Sequence, residues 1–327
     1  GYSQRNIADL IFLEDASEEL KKDVLSHLGF QEFRKAYTNL MNLAGEGSQR
    51  NTFAKLAVLA GDILQQKPDP DMALNNWERF KRALTSPEFH YNLMLSQPMR
   101  LEILLGLFST SQFLADTLIR NPGFLDWVVI PENLNRPRDK KVLEDELRKA
   151  ANYSNDHREW LNKLRRFRRR EILRIGTRDI CLGVPTREVM EELSILAEAF
   201  AQVVLENIWT RMREEGRISP EMDGLENRFC VMALGKLGAR ELNYSSDIDL
   251  MGICRIPEGH KPGGDAGHFS RVVFARAMEQ LRSDLSSHTE EGYAYRVDLR
   301  LRPFGDSGEL VSTVPALIRY YQKMASL

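Results

Sequence analysis

Two aspartates stand two positions apart in the segment ELNYSSDIDL, Asp247 and Asp249, after a serine pair and before an apolar run. A turn needs at most one aspartate and a strand disfavours both, so the pair asks for a chemical reason. In an extended segment the two-residue side-chain period sends both carboxylates to one face and Ile248 and Leu250 to the other. Like charges on one face repel, and a cation between them relieves the repulsion. The segment YRVDLRLRP alternates in the same way, with Tyr295, Val297, Leu299 and Leu301 on one face and Arg296, Asp298, Arg300 and Arg302 on the other. Asp298 is therefore a third carboxylate, flanked by guanidinium groups.

Three aspartates suit one or two hard divalent ions held through oxygen, Mg²⁺ or Mn²⁺, whereas zinc more often recruits cysteine or histidine. Arginines beside such a site match phosphate oxygens in bidentate fashion. An Asp-x-Asp pair alone arises by chance in many chains, and the upstream turn LGKLG together with Asp298 makes the pattern more specific. Gly235 and Gly238 permit a tight turn whose N–H groups could face a phosphate. The order GKLGARELNYSSD is not that of a Walker loop, so Lys236 is not given that lysine's role.

The elements that must position these groups fall into two regions. Residues 1–215 read as a helical region, with helix after helix from about residue 15. NTFAKLAVLAGDILQQK has helical spacing and stops before Pro68 and Pro70; DPDMALNNWERFKRAL resumes with acids first and bases last, as the helix dipole favours. MRLEILLGLFSTSQFLADTLIRNPGFLDWV carries a break at STS and a stop at Asn121-Pro122, and PTREVMEELSILAEAFAQVVLENIWTRMREEG is one long helix. Residues 216–327 change period: RFCVMAL, DLMGICRI and the alternating run read as strands of one sheet, with HFSRVVFARAMEQLRSDLSS as a helix between them. The intervening loop PEGHKPGGDAGH is expected to be mobile. The fold class is α+β, predominantly helical, with a small mixed sheet domain attached to an N-terminal helical region.

The chain has 327 residues, 43% of them hydrophobic, and a formal net charge of -2, which argues against a surface built throughout to hold nucleic acid. No stretch approaches the apolar length of a membrane span, and the start lacks a signal pattern. Cys181, Cys230 and Cys254 have no metal-type spacing and read as buried thiols of a reducing, cytoplasmic compartment.

ALGKLGARELNYSSDIDLM together with YRVDLRLRPFGDSGELV resembles the nucleotidyltransferase superfamily, and more closely the bacterial glutamine synthetase adenylyltransferase/adenylyl-removing family. Members of that family are long chains with two related catalytic domains, one removing AMP from a tyrosine of glutamine synthetase by phosphorolysis and one attaching it from ATP. RLRPFGDSG resembles the N-terminal, removing half, and SQFLADTLIRNPGFLDWV, DPDMALNNWERF and RRFRRREILRIGTRDI resemble segments that precede its catalytic domain. The resemblance implies a nucleotidyltransferase-type domain at 216–327, with Asp247, Asp249 and Asp298 as metal ligands and catalytic groups. It places Gly235 and Ser246 around nucleotide phosphates and Arg300 and Arg302 in an Arg-x-Arg-Pro element. It implies Mg²⁺ or Mn²⁺ as cofactor, inorganic phosphate as co-substrate and ADP as product. The implied partners are glutamine synthetase, a PII-type nitrogen-signalling regulator and a C-terminal adenylyltransferase domain in cis, with no nucleic acid and no membrane. Ala239 departs from the family, where a second glycine is common after Gly238, and preserves the turn if its backbone is not left-handed. The chain begins without methionine and stops at KMASL, so the resemblance implies a piece of a longer chain, truncated in the catalytic domain.

Two alternatives stand beside AMP removal: the forward transfer from ATP, which the same carboxylates would serve, and a non-catalytic helical interaction module. Elsewhere, RRFRRR at 165–170 reads as a solvated or salt-bridged face ahead of a docking or nucleic-acid surface. Arg178 and Asp179 read as a structural salt-bridge pair, His260 and His268 as loop residues, and Trp77, Trp127, Trp160 and Trp209 as packing residues. Ser307 in GDSG is rejected as a hydrolase nucleophile, since no positioned base accompanies it.

Overall fold

The computed structural model describes residues 6–13, 15–151, 156–218, 224–255 and 265–324, with side chains described from 270 onward in the last stretch. Residues 257–264 of the segment PEGHKPGGDAGH, His260 among them, and the side chain of His268 lie outside the described residues, while the backbone from Asp265 onward is already helical instead of loop. The protein is predominantly helical with a four-stranded mixed sheet, in agreement with the α+β expectation.

Contacts divide the chain into two compact units, residues 1–136 with 173–186 and residues 137–172 with 187–327. In the first unit prolines open successive helices, Pro70–Arg82, Pro87–Ser96 and Pro98–Thr110, where a missing N–H costs nothing. The Asp69 side chain caps the first of these by accepting from the Met72 amide at 2.8 Å. The expected break at STS is real. Ser111 is extended and its hydroxyl caps Gln112–Arg120 by accepting from Leu114 N. Phe53, Trp77 and Tyr91 form a buried aromatic cluster, with Phe53 5.5 Å from Trp77 and 5.1 Å from Tyr91 between ring centroids. The Tyr91 hydroxyl donates to Leu43 O at 2.8 Å, so its polar end is not stranded. Arg178 is buried here too and donates to Leu134 O at 2.6 Å.

The second unit holds the sheet: β1 (Phe229–Leu234), β2 (Ile248–Cys254), β3 (Val297–Asp298) and β4 (Val311–Thr313). β2 is central, antiparallel to β1 and parallel to both β3 and β4. Helix Asp265–Ser286 packs on it through Phe274, Met278, Leu281 and Leu285, all buried. Gly252 makes that approach possible: a Cβ there would lie 2.9 Å from Met278 Cγ. Helix Thr186–Glu214 joins the same core. Trp209 packs edge-on against Phe229 at 5.7 Å, and Phe229 stacks on Phe274 at 5.2 Å. These contacts explain why the helix groups with the strands, although periodicity alone changes only after it.

Two sequence expectations need correction. Cys230 is exposed and Cys181 half-buried, leaving Cys254 as the buried thiol. Successive side chains of β1 alternate between the two faces of the sheet, and Cys230 shares with Met232 the exposed face opposite buried Phe229. The alternating run YRVDLRLRP is a strand only at Val297–Asp298. The Arg300 amide donates back to Asp298 Oδ1 at 2.8 Å and the Arg302 guanidinium to Leu299 O at 2.7 Å. Both bonds draw the backbone into a turn, and Leu301 is left half exposed instead of continuing an apolar face.

Candidate active site

The candidate site is built from the start of β2 and its neighbours. Ile248 and Leu250 are buried while Asp249 is half-buried and Asp247 exposed, as the parity of the sequence requires. Asp249 pairs in register with Asp298 on β3 and with Leu234 on β1, immediately before Gly235. Gly235 has φ +54°, and a Cβ there would lie 2.3 Å from Asp249 Oδ2. The glycine therefore serves both a left-handed backbone and the space that the carboxylate occupies. Ala239 is right-handed at φ -82°, so its methyl is tolerated where glycine would serve no purpose.

The loop from Ala239 to Asp247 is pinned at both ends. The Leu242 amide donates to the Ser194 hydroxyl, buried on helix Thr186–Glu214, at 3.1 Å. Ser246 Oγ donates to Asn243 Oδ1 at 2.7 Å, and the Ser245 amide donates to the same oxygen at 3.1 Å. On the other side, Ser286 latches β3 to its helix: Val297 N donates to Ser286 Oγ at 3.1 Å, and Ser286 Oγ donates to Tyr295 O at 3.0 Å. The segment before β3 is clamped by helix His157–Leu182. Arg165, 1% exposed, donates to Gly292 O at 2.6 Å and also to the carbonyls of Leu161, Asp284 and Ser287. Arg169 pairs with Glu291 and Arg168 lies over the Tyr295 ring. RRFRRR is thus a salt-bridged and hydrogen-bonded face, and one of its arginines is fully interior. Ser194, Asn243, Ser286 and Arg165 are positioning residues that the sequence reading did not assign. Only Asn243, an Asx-turn residue before a serine pair, carried a local signal.

Each carboxylate has a different electrostatic setting. Asp247 accepts from Arg296 Nε at 2.6 Å, an exposed pair. Asp298 is gripped by Arg300 through both carboxylate oxygens, at 3.0 and 2.9 Å from Nε. Hydrogen bonds from the Arg300 side chain and amide hold the Asp298 carboxyl below its ordinary range. Among the described residues no arginine is bonded to Asp249. Burial, and then the charges of Asp298 and Asp247, push its pKa up against the weaker pull of Arg300 and Lys236. Among the described residues, no group of three or more His, Cys, Asp or Glu side chains is already gathered into an ion-binding cluster. The donor chemistry nevertheless fits a hard divalent cation, because Asp249 carries uncompensated negative charge beside two further carboxylates.

A cleft of about 530 Å³ opens beside these groups, lined by Asp247, Asp298, Arg300 and Arg302, with Glu279 and Arg282 contributed by helix Asp265–Ser286. Asp249, Gly235 and Ser246 are not among its lining residues. Glu279 and Arg282 were missed by sequence because each looks like an ordinary polar position of an amphipathic helix. Arg302 turns inward, 11% exposed at its side chain, bonded to Leu299 O, Gly308 O and Asp306 O. The loop it braces is tight: Phe304 and Gly305 are both left-handed, and a Cβ on Gly308 would collide with Pro303 O at 1.9 Å. Ser307 Oγ donates to Phe304 O within that loop.

Carboxylates converging from two neighbouring strands beside a glycine turn, with guanidinium groups along the cleft, define a site suited to anionic phosphate chemistry. The family model for glutamate-ammonia ligase adenylyltransferase matches residues 101–326, and the chain belongs to that family. It is also 29% identical, over 96% of its length, to the bifunctional glutamine synthetase adenylyltransferase/adenylyl-removing enzyme of Thioalkalivibrio sulfidiphilus (strain HL-EbGR7). The chain spans 34% of that relative's length. No helix among the described residues is long and apolar enough to cross a membrane.

Proposed function

We propose that this chain removes AMP from an adenylylated tyrosine of glutamine synthetase by phosphorolysis. Inorganic phosphate attacks the AMP phosphorus, the bond from phosphorus to the tyrosyl oxygen breaks, and ADP and the protonated tyrosine leave. The observation that carries this reading is the cleft wall on which Asp247 and Asp298 stand among Arg282, Arg300 and Arg302, in a chain of this family. The reaction joins two anions, so guanidinium groups that offset charge and hold the attacking and leaving oxygens in line supply much of what it needs.

Asp247, Asp249 and Asp298 are the residues that would hold Mg²⁺ or Mn²⁺, and Gly235 leaves the space in which Asp249 stands. Such an ion supplies polarisation of phosphate oxygens and neutralisation of charge. Burial and the neighbouring carboxylates disfavour the ionised form of Asp249, so its charge is one that a bound cation would offset. Arg300 is the guanidinium suited to a phosphate oxygen, since it is exposed and already presents its fork to an oxyanion in Asp298. Arg302 supports the loop instead, through three carbonyls. In a longer enzyme of this family, a second adenylyltransferase domain and a PII-type regulator would act together with this unit in the cytoplasm.

Incubation with tyrosyl-adenylylated glutamine synthetase, Mg²⁺ and phosphate should release ADP. AMP released without phosphate dependence would identify hydrolysis. The forward reaction is the second reading, favoured by the family description itself. Efficient label transfer from ATP to unmodified glutamine synthetase by this chain alone would establish it in place of removal.

A further inference from the structure

A second cavity, of about 480 Å³, lies between the C-terminal end of helix Thr186–Glu214 and helix Asp265–Ser286. It shares Glu279 and Arg282 with the cleft described above but has its own walls. Four arginines line it, Arg211, Arg217, Arg276 and Arg282, against the two carboxylates Glu215 and Glu279. Glu215 is already shared between Arg217 at 2.8 Å and Arg211 at 3.6 Å. Arg276 and Arg282 make no ion pair or hydrogen bond among the described residues. These two guanidinium groups share one nearby carboxylate, Glu279, so the cavity carries more positive than negative charge, and such a concave surface concentrates anions.

Two further features distinguish this cavity from a solvated charged face. Its lining is preorganised from beneath: Arg211 donates to His157 Nδ1 at 2.8 Å, His157 Nε2 meets Asp284 Oδ1 at 2.8 Å, and Gln280 donates to that same Asp284 oxygen at 2.7 Å. Asp284 is 2% exposed, so the network that orients Arg211 and Gln280 is anchored on an interior carboxylate. The cavity also has an apolar side, provided by Ile208 and Met212, which are buried in the protein core and reach its wall.

We propose that this cavity binds a nucleoside monophosphate or diphosphate, separately from the reaction cleft. Guanidinium groups pair bidentately with phosphate oxygens, which assigns the phosphate to Arg276 and Arg282. A lone phosphate would leave most of the volume unused, whereas a nucleoside fills a site of this size. Arg282 lies in both walls, so a nucleotide here couples to the cleft through a shared side chain.

The test is calorimetric titration of the whole chain with AMP at constant ionic strength, with neither glutamine synthetase nor Mg²⁺ present. Binding is thereby read apart from phosphorolysis, and failure of either proposal leaves the other standing. AMP should bind saturably, and inorganic phosphate at least about tenfold more weakly, since it lacks the base and ribose that fill the rest of the cavity. Arg276→Glu, in a residue that lines this cavity and not the cleft, should weaken AMP by at least about tenfold, the scale of one charge-assisted contact. Arg300→Gln, in a residue that lines the cleft and not this cavity, should leave AMP affinity within about threefold, below that scale. Unchanged affinity in Arg276→Glu, or loss of AMP binding in Arg300→Gln, would overturn the proposal. Equal affinity for phosphate and AMP would overturn its nucleoside part. Should Arg276→Glu fail to give the wild-type circular dichroism, Arg276→Gln supplies the same comparison.

Discussion

Asp249 and Asp298 stand side by side on parallel neighbouring strands, yet Arg300 grips the Asp298 carboxylate while no arginine among the described residues is bonded to Asp249. The pair holds together because an ion pair neutralises one member. The other is left with a raised pKa and a capacity for a cation.

Asp249→Asn should lower phosphorolysis by roughly 10²–10³-fold, the scale of one lost electrostatic contact to a transition state. Stability should move the other way. The folded pKa of Asp249 lies above its unfolded value, so its ionisation favours the unfolded chain, and stability falls as pH rises from the unfolded to the folded pKa. At neutral pH the metal-free asparagine variant should therefore melt at the wild-type temperature or above it. Mg²⁺ or Mn²⁺ should raise the melting temperature of the wild type and leave the variant nearly unmoved. Equal metal-induced shifts in both proteins would remove Asp249 from the ligand set.

Asp298→Asn should show the opposite pH behaviour. The Asp298 pKa is depressed by Arg300, so its stabilisation is present above the unfolded carboxylate pKa and lost as pH falls through the folded one. Melting curves of wild type and variant should separate at neutral pH and converge in acid. A separation that is constant across pH would mean that packing, and not the charge pair, accounts for the effect.

Gly235→Ala should destabilise the protein by about 1–3 kcal/mol from the left-handed backbone alone. It should also displace the Asp249 carboxylate, because the new methyl would sit 2.3 Å from Oδ2. Gly47→Ala is the matched control, with φ +58° and nothing within 4 Å of the added Cβ. Urea denaturation should find Gly235→Ala the more costly of the two, and only Gly235→Ala should reduce activity.

Arg165→Met should cost at least about 2 kcal/mol in denaturant unfolding, since it strips the donor from several interior carbonyls at once. The loop at residues 287–292 leads into β3, so amide exchange there should rise, and activity should fall with it. Arg166→Met, at an exposed neighbouring pair, should change stability by less than about 1 kcal/mol.

What the sequence by itself determined is what neighbours along the chain decide. Prolines at first helical positions, the Ser111 break, the apolar runs of β1 and β2 and the parity of Asp247 and Asp249 are local, because backbone dihedrals and side-chain period act over a few residues. The resemblance of the Asp-x-Asp and Arg-x-Arg-Pro segments to one family was equally legible, and the family match agrees with it. Tertiary structure decided which arginine each carboxylate meets, and there periodicity was silent or misleading. The alternating run ends after Asp298 because Arg300 and Arg302 turn back on their own chain, a choice made by hydrogen bonds and not by pattern. Arg165 and Arg282 look alike as letters, one interior under four carbonyls and the other exposed on the walls of neighbouring cavities. A charged residue on a helix has its face set by spacing, but its partners are set by whichever distant segments fold against that face.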